Sequence, residues 1–263
     1  MNVSGAQYWT GPHFMKLKLT VVAATAALML AASANAGLVN GGFESSTNGP
    51  GQVGYNTSLT GWSVPSGGYT FLFNGSTSDS AGANGEYGNL QLWGLNNGGV
   101  GPTYIGPSPA GGNFIGQDGA FQDQPLQQTI SGLNVGETYA VSFYWGAAQQ
   151  SGFYSPTTDS WQVSLGSQTQ TTTVLNNVSQ GFTGWQPLTT MDFTATSASE
   201  VLSFLAVGSP AGVPPFAVLD GVSLVGVPEP AAWALMFVGL GFVGGAARMR
   251  RRGAPATVET AAV

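Results

Sequence analysis

Leu133–Trp145 reads LNVGETYAVSFYW. Asn134–Glu137 is a turn, and beyond it Tyr139, Val141, Phe143 and Trp145 alternate with Ala140, Ser142 and Tyr144. Successive side chains of a strand point to opposite faces, so this spacing predicts a strand with an aromatic core face. Working outward, Trp161, Val163 and Leu165 repeat the alternation, as do Leu126, Gln128 and Ile130, and Val218, Asp220, Val222 and Leu224. Glu200–Val207 (EVLSFLAV) is apolar at both parities and predicts a central strand. From Gly37 to Gly226 no run of ten or more residues keeps a capped helical stripe, and Gly, Asn, Pro and Ser punctuate the apolar runs. The expected fold class is therefore all-β, an antiparallel jelly-roll β-sandwich. Three polar, glycine-rich segments, Ser45–Thr57, Ser76–Gly85 and Asn96–Gly112, read as long loops, which in compact domains are either functional or mobile. No period of about 20–50 residues recurs, which argues against a solenoid or propeller.

Charge is distributed unevenly. The basic residues are Lys16, Lys18, Arg248, Arg250, Arg251 and Arg252, the single histidine is His13, and there is no cysteine. Leu19–Ala247 therefore contains no triad histidine, cysteine nucleophile, Schiff-base lysine, His/Cys metal site or phosphate-loop lysine. It also has nothing to neutralise phosphates, so nucleic acid is not an expected partner. No disulfide is available, and stability must come from the core. Glu44, Asp79, Glu86, Asp118, Asp123, Glu137, Asp159, Asp192, Glu200 and Asp220 are left with no protein cation to pair with.

The two ends carry addresses. Lys16 and Lys18 precede the uncharged run Leu19–Ala32 and the small-residue site Ala34-Asn35-Ala36. This is the pattern of a secretory signal peptide over residues 1–36, with Met15 as the expected start. The apolar run is short of the ~20 residues that span a bilayer, which argues against an anchor at this end. At the other end Val227-Pro228-Glu229-Pro230 precedes the uncharged Ala231–Ala247, then Arg248, Arg250, Arg251 and Arg252. That run is at the lower limit of about 17 residues for a spanning helix, and the arginines are the pattern of a cytoplasmic flank. Gly241 and Gly245 have the spacing of a helix-packing motif, which in this setting fits weak helicity better than dimerisation.

Val227-Pro228-Glu229-Pro230, apolar run and arginine cluster, in that order, resemble the PEP-CTERM sorting domain of Gram-negative bacteria. The resemblance covers Val227–Arg252, and the tail 253–263, read as cytoplasmic, is longer than that family's usual ending. It implies an exosortase-type processing enzyme as partner, an inner-membrane intermediate, and final placement at the cell surface or in the extracellular matrix. The domain between the addresses is 37–226.

Within that domain, Asn40-Gly41-Gly42-Phe43-Glu44, Gly61-Trp62 and the closing Asp220-Gly221-Val222-Ser223-Leu224 resemble the galactose-binding-like jelly rolls, which include many carbohydrate-binding modules. The resemblance implies that the first and last strands lie together and hold a structural Ca²⁺, with Glu44 and Asp220 as the matching carboxylates. Hard cations favour such oxygen ligands. The alternative is that Asp220 takes backbone donors and Glu44 is solvated.

Asn89-x-Gln91-x-Trp93, with Tyr87 nearby, places two amides and an indole on one expected strand face, a candidate sugar platform. Trp145, Trp161 and Trp185 sit at core-like positions instead. Catalysis would have to rest on carboxylates alone, as in a glycoside hydrolase, and Asp118 and Asp123 are the nearest pair. The expected function is that of a non-enzymatic exported surface or matrix protein that binds exopolysaccharide. A carboxylate-based glycoside hydrolase and a purely structural or adhesive biofilm protein are the alternatives.

Overall fold

A computed structural model describes residues 37–227. The signal peptide, Pro228-Glu229-Pro230, the apolar run 231–247, the arginine cluster and the tail 253–263 lie outside the described residues. Among those described, no helix is long and apolar enough to cross a membrane.

The strands are β1 (Gly51–Gln52), β2 (Thr70–Asn74), β3 (Ala83–Gly85), β4 (Gly88–Leu90), β5 (Asn113–Asp118), β6 (Leu126–Ser131), β7 (Thr138–Gln149), β8 (Thr157–Leu165), β9 (Gln168–Thr171), β10 (Leu175–Asn177), β11 (Thr189–Thr194), β12 (Ser199–Ser209) and β13 (Pro215–Gly226). They form an eight-stranded sheet ordered β11-β7-β13-β5-β2-β1-β3-β4 and a five-stranded sheet in which β10-β8-β12-β6 are in line and β9 pairs with β8. From β5 to β8, and again from β11 to β13, successive strands alternate between the sheets, which is the winding of a jelly-roll sandwich. All strand pairings are antiparallel except a single parallel contact of β1 with β3, Gly51 opposite Asn84.

The alternation read from the sequence fixes the core. Tyr139, Val141, Phe143 and Trp145 of β7 meet Trp161, Val163 and Leu165 of β8 and Leu202 and Phe204 of β12 between the sheets. Trp145 and Trp161 are among the largest fully buried side chains, and Phe204 lies edge-on to Phe143 and Trp161. The turn Asn134–Glu137 is present, closed by the Glu137 amide donating to the Asn134 carbonyl at 3.1 Å.

Two expectations change. β12 lies centrally between β8 and β6, but Val201 and Val207 on its outer face are 41% and 47% exposed, because no described segment covers that face of the smaller sheet. The larger sheet is covered over β2, β5 and the adjoining parts of β7 and β13, while its β11 side is open. Phe71, Phe73, Phe114 and Phe216 on its outer face pack with Leu90, Leu92, Ile105 and Phe182 in a second apolar cluster. The glycine-rich segments are therefore built structure. Asn96 donates from its backbone and side chain to the Asp79 carboxylate, and the Trp185 indole donates to the Gly106 carbonyl.

Candidate functional site

An open concavity lies beside the covered part of the large sheet. A cleft of about 430 Å³ is lined by Tyr69, Tyr87, Asp118, Phe121, Gln150 and Phe153, among others. Tyr87, Phe121 and Phe153 expose their rings, and Tyr69 is buried beneath them. The Tyr69 ring meets Phe121 at 5.2 Å and Tyr87 at 6.0 Å, so these rings hold one another in place. Burial, and after it the charge of Asp118, pushes the Tyr69 hydroxyl up to about 12, which keeps it a neutral hydrogen-bonding phenol at neutral pH. Gln122 donates to the Tyr87 hydroxyl at 3.2 Å and fixes its rim position. The result is an aromatic-walled, cation-free depression with phenol and amide groups, suited to the CH faces and hydroxyls of a sugar.

The residues singled out from the sequence are only partly gathered here. Tyr87 lines the cleft. Asn89 and Gln91 donate instead to the carbonyls of Ala81 and Ser80 and tie down the preceding loop. Trp93 is buried, its indole donating to the Phe153 carbonyl at 2.9 Å. The shared strand face was expected to continue to Trp93, but β4 ends at Leu90, and Leu92 and Trp93 are both buried. The row therefore forms no common platform. Trp93 acts from below, positioning Phe153 and meeting Tyr154 at 5.6 Å. Phe121 and Phe153 lie in no periodic run, so sequence patterning could not single them out.

Asp118 is buried at the cleft wall. Desolvation pushes its carboxyl up to about 7, the Ala120 amide acting against that and the charge of exposed Asp123 adding to it. Its other oxygen, Oδ2, is buried and has no hydrogen-bond partner. The carboxyl pair of the glycoside-hydrolase alternative thus combines a buried Asp118 at the cleft wall with an exposed Asp123.

The opening and closing motifs meet. Val222 donates its amide to the Gly41 carbonyl at 2.9 Å, and a Cβ on Gly41 would fall 1.9 Å from the Val222 carbonyl oxygen, so the approach requires glycine. Asp220 is fully buried at a β-bulge. Desolvation pushes its carboxyl up to about 7, with Ser108 and Gly221 as opposing donors and the charge of Glu44 adding to the rise. Its oxygens accept from the Ser108 hydroxyl and the Gly221 amide. Those of Glu44 accept from the Asn113 amide and side chain at 2.7 and 3.0 Å. The residues suit a hard cation in type and proximity. They do not require one, because every carboxylate oxygen of the pair already has a donor. Among the described residues, no group of three or more His, Cys, Asp or Glu side chains gathers to hold a metal.

No known protein family matches the chain, and no curated protein does. Similar solved structures include a CBM4 structure (16% identity, 72% of this chain and 99% of that one, TM-score 0.33). TmCBM61 in complex with β-1,4-galactotriose is 14% identical over 72% of this chain and 97% of that one, TM-score 0.31. The CBM22-1 xylan-binding domain of Paenibacillus barcinonensis Xyn10C is 11% identical over 72% and 92%, TM-score 0.34.

Proposed function

We propose that the chain is a non-enzymatic, exported polysaccharide-binding protein whose binding surface is the aromatic cleft around Tyr87, Phe121 and Phe153. The observation that carries this reading is the exposure of three rings around one concavity, with Tyr87 at 62% and Phe121 at 44%. Exposed, mutually braced aromatics offer large apolar faces at little conformational cost. The domain's acids have no basic counterpart, so its field disfavours strongly anionic polymers and favours neutral or amino-bearing ones.

Affinity electrophoresis of the full chain through gels cast with a panel of bacterial exopolysaccharides tests this. At least one polymer retards the wild type, and Tyr87→Ala or Phe121→Ala weakens that retardation about tenfold, as expected for loss of ~1.4 kcal/mol of contact. Retention by no polymer leaves the structural or adhesive reading. Release of reducing ends that Asp118→Asn or Asp123→Asn abolishes establishes the hydrolase.

Delivery belongs to the same proposal. The signal peptide and the Val227-Pro228-Glu229-Pro230 address, with its apolar run and arginines, support export through an exosortase-type system to the surface or matrix of a Gram-negative cell. Replacing Pro228, Glu229 and Pro230 by alanine should hold the chain in the inner membrane; unchanged surface delivery contradicts this part. A structural Ca²⁺ at Glu44 and Asp220, joining the two ends of the domain, completes it.

A further inference from the structure

The cleft around Tyr87 is walled by a carboxylate as well as by rings, and the rings are inclined to one another. Tyr69 and Phe121 stand at 84°, Tyr87 and Phe121 at 63°, and Tyr69 and Tyr87 at 49°, all in mutual contact. Phe153 lines the same space. A flat pyranose ring can stack on only one face of such a set. The inclined neighbours are left for a compact substituent, and an aromatic face attracts a cation through its negative π-cloud.

Asp118 is built into this wall. Its amide donates to the Tyr69 carbonyl at 3.2 Å, and its Oδ1 accepts from the Ala120 amide at 2.8 Å. The Tyr69 amide donates in turn to the Gln122 carbonyl at 3.1 Å. Gln122 has a φ of 50°, so the chain turns back here and sets Phe121 against the Tyr69 ring. Asp118 is 1% exposed, and its Oδ2 has no hydrogen-bond partner. The titratable groups around Asp118 and Tyr69 are Tyr87, Glu86, Asp123 and the buried Asp159, and none is basic. No Lys, Arg or His stands anywhere between Leu19 and Ala247. The wall therefore holds a carboxylate short of a counter-charge, and one can arrive only from outside this domain, through the open cleft.

We propose that the cleft recognises an ammonium-bearing sugar unit, its cationic nitrogen held against the Tyr87 and Phe121 rings and opposed by the charge of Asp118 in the wall. This rests on the polysaccharide reading and narrows it to polymers that carry free or quaternary amino groups. The rings take the cation without needing a hydrogen bond from it. The carboxylate acts through its field, because Oδ2 is covered. An N-acetylated unit carries no charge and gains neither attraction, so the acetylation state of the polymer is what the site discriminates.

Calorimetric titration of the full chain with β-linked glucan hexasaccharides that differ only in the second-carbon substituent (hydroxyl, acetamido or trimethylammonium) tests it. Salt of about 0.15 M screens attraction between distant surface charges. The trimethylammonium form should bind about tenfold more tightly than either neutral form. Its affinity should rise from pH 5 to pH 8, because Asp118, raised to about 7, ionises over that range while the charge of the ligand stays fixed. Asp118→Asn, which keeps an acceptor for the Ala120 amide, should remove both the preference and its pH dependence. Phe121→Leu, at an exposed position, keeps apolar bulk without a ring and should lower the preference even if Asp118→Asn fails to fold. Asp192→Asn, which removes an exposed charge on β11, should leave the preference intact. The inference is overturned, with the polysaccharide reading standing, if the three hexasaccharides bind alike, or if none binds while an exopolysaccharide still retards the chain. It is equally overturned if Asp192→Asn erodes the preference as much as Asp118→Asn does, or if Phe121→Leu and Asp118→Asn both keep it. Binding of no hexasaccharide and no polymer overturns both readings.

Discussion

Glu44 and Asp220 stand where the two ends of the domain meet, Asp118 and Asp159 are buried on β5 and β8, and the two sets are treated differently. Around the first, every carboxylate oxygen has a donor: Asn113 for Glu44, Ser108 and Gly221 for Asp220. Around the second, three carboxylate oxygens and the neighbouring Thr157 hydroxyl have none. The difference follows from surroundings. Ser108 belongs to the glycine-rich 96–112 segment, whose turns bring a hydroxyl and backbone amides inward. Asp159 is in mid-strand, where the ladder has already taken the nearby backbone donors. A cation-free sequence can bury a carboxylate under a loop with hydrogen bonds alone, as at Asp220; in the strand, Asp159 has no donor and burial raises its carboxyl instead.

The largest expected effect is on pH dependence. Folded-state carboxyls of Asp118 and Asp220 are raised to about 7, and burial raises that of Asp159 as well. Such groups hold protons in the folded state that the unfolded chain releases above pH ~4. Stability is therefore full at and below that pH and is lost as pH rises through about 7. In EGTA the melting temperature should fall from pH 5 to pH 8, reflecting a loss on the order of a few kcal/mol. Melts across that range check this, and a flat profile would mean that Asp118, Asp159 and Asp220 stay ionised at no cost.

A smaller and more discriminating effect separates the pairs through their hydroxyls. Ser108→Ala removes a donor from Asp220 and should destabilise by about 1–3 kcal/mol. Thr157→Val in EGTA removes a hydroxyl that has no partner, and should be neutral or stabilising by up to about 1 kcal/mol. Denaturant titrations measure both; equal losses in the two variants would erase the distinction between the pairs. The smallest effect on stability belongs to the cleft. Tyr87→Ala, at an exposed rim position, should stay within about 0.5 kcal/mol of wild type while polysaccharide retention weakens.

Much of the fold was legible because the core uses alternation. The Tyr139–Trp145 pattern became β7, Leu126–Ile130 became β6, and Val218–Leu224 became part of β13. The same phase held one unused signal: Thr157 and Asp159 continue the parity of Trp161, Val163 and Leu165, which places two polar groups on a core face. The cleft was far less legible. Tyr87 lines the cleft, but Phe121 and Phe153 lie in irregular segments, and Trp93 is buried because β4 ends at Leu90.

The sequence by itself determined an all-β sandwich, the absence of cations from Leu19 to Ala247 and the resulting need to accommodate buried acids, because strand periodicity and charge are local properties of a chain. Which acids found donors was decided only by the tertiary structure. Asp220 met Ser108, 112 residues away, while Asp159 met no donor. Hydrogen bonds and charge proximity depend on which strands the winding brings together, and nothing in the spacing of residues along one strand encodes that.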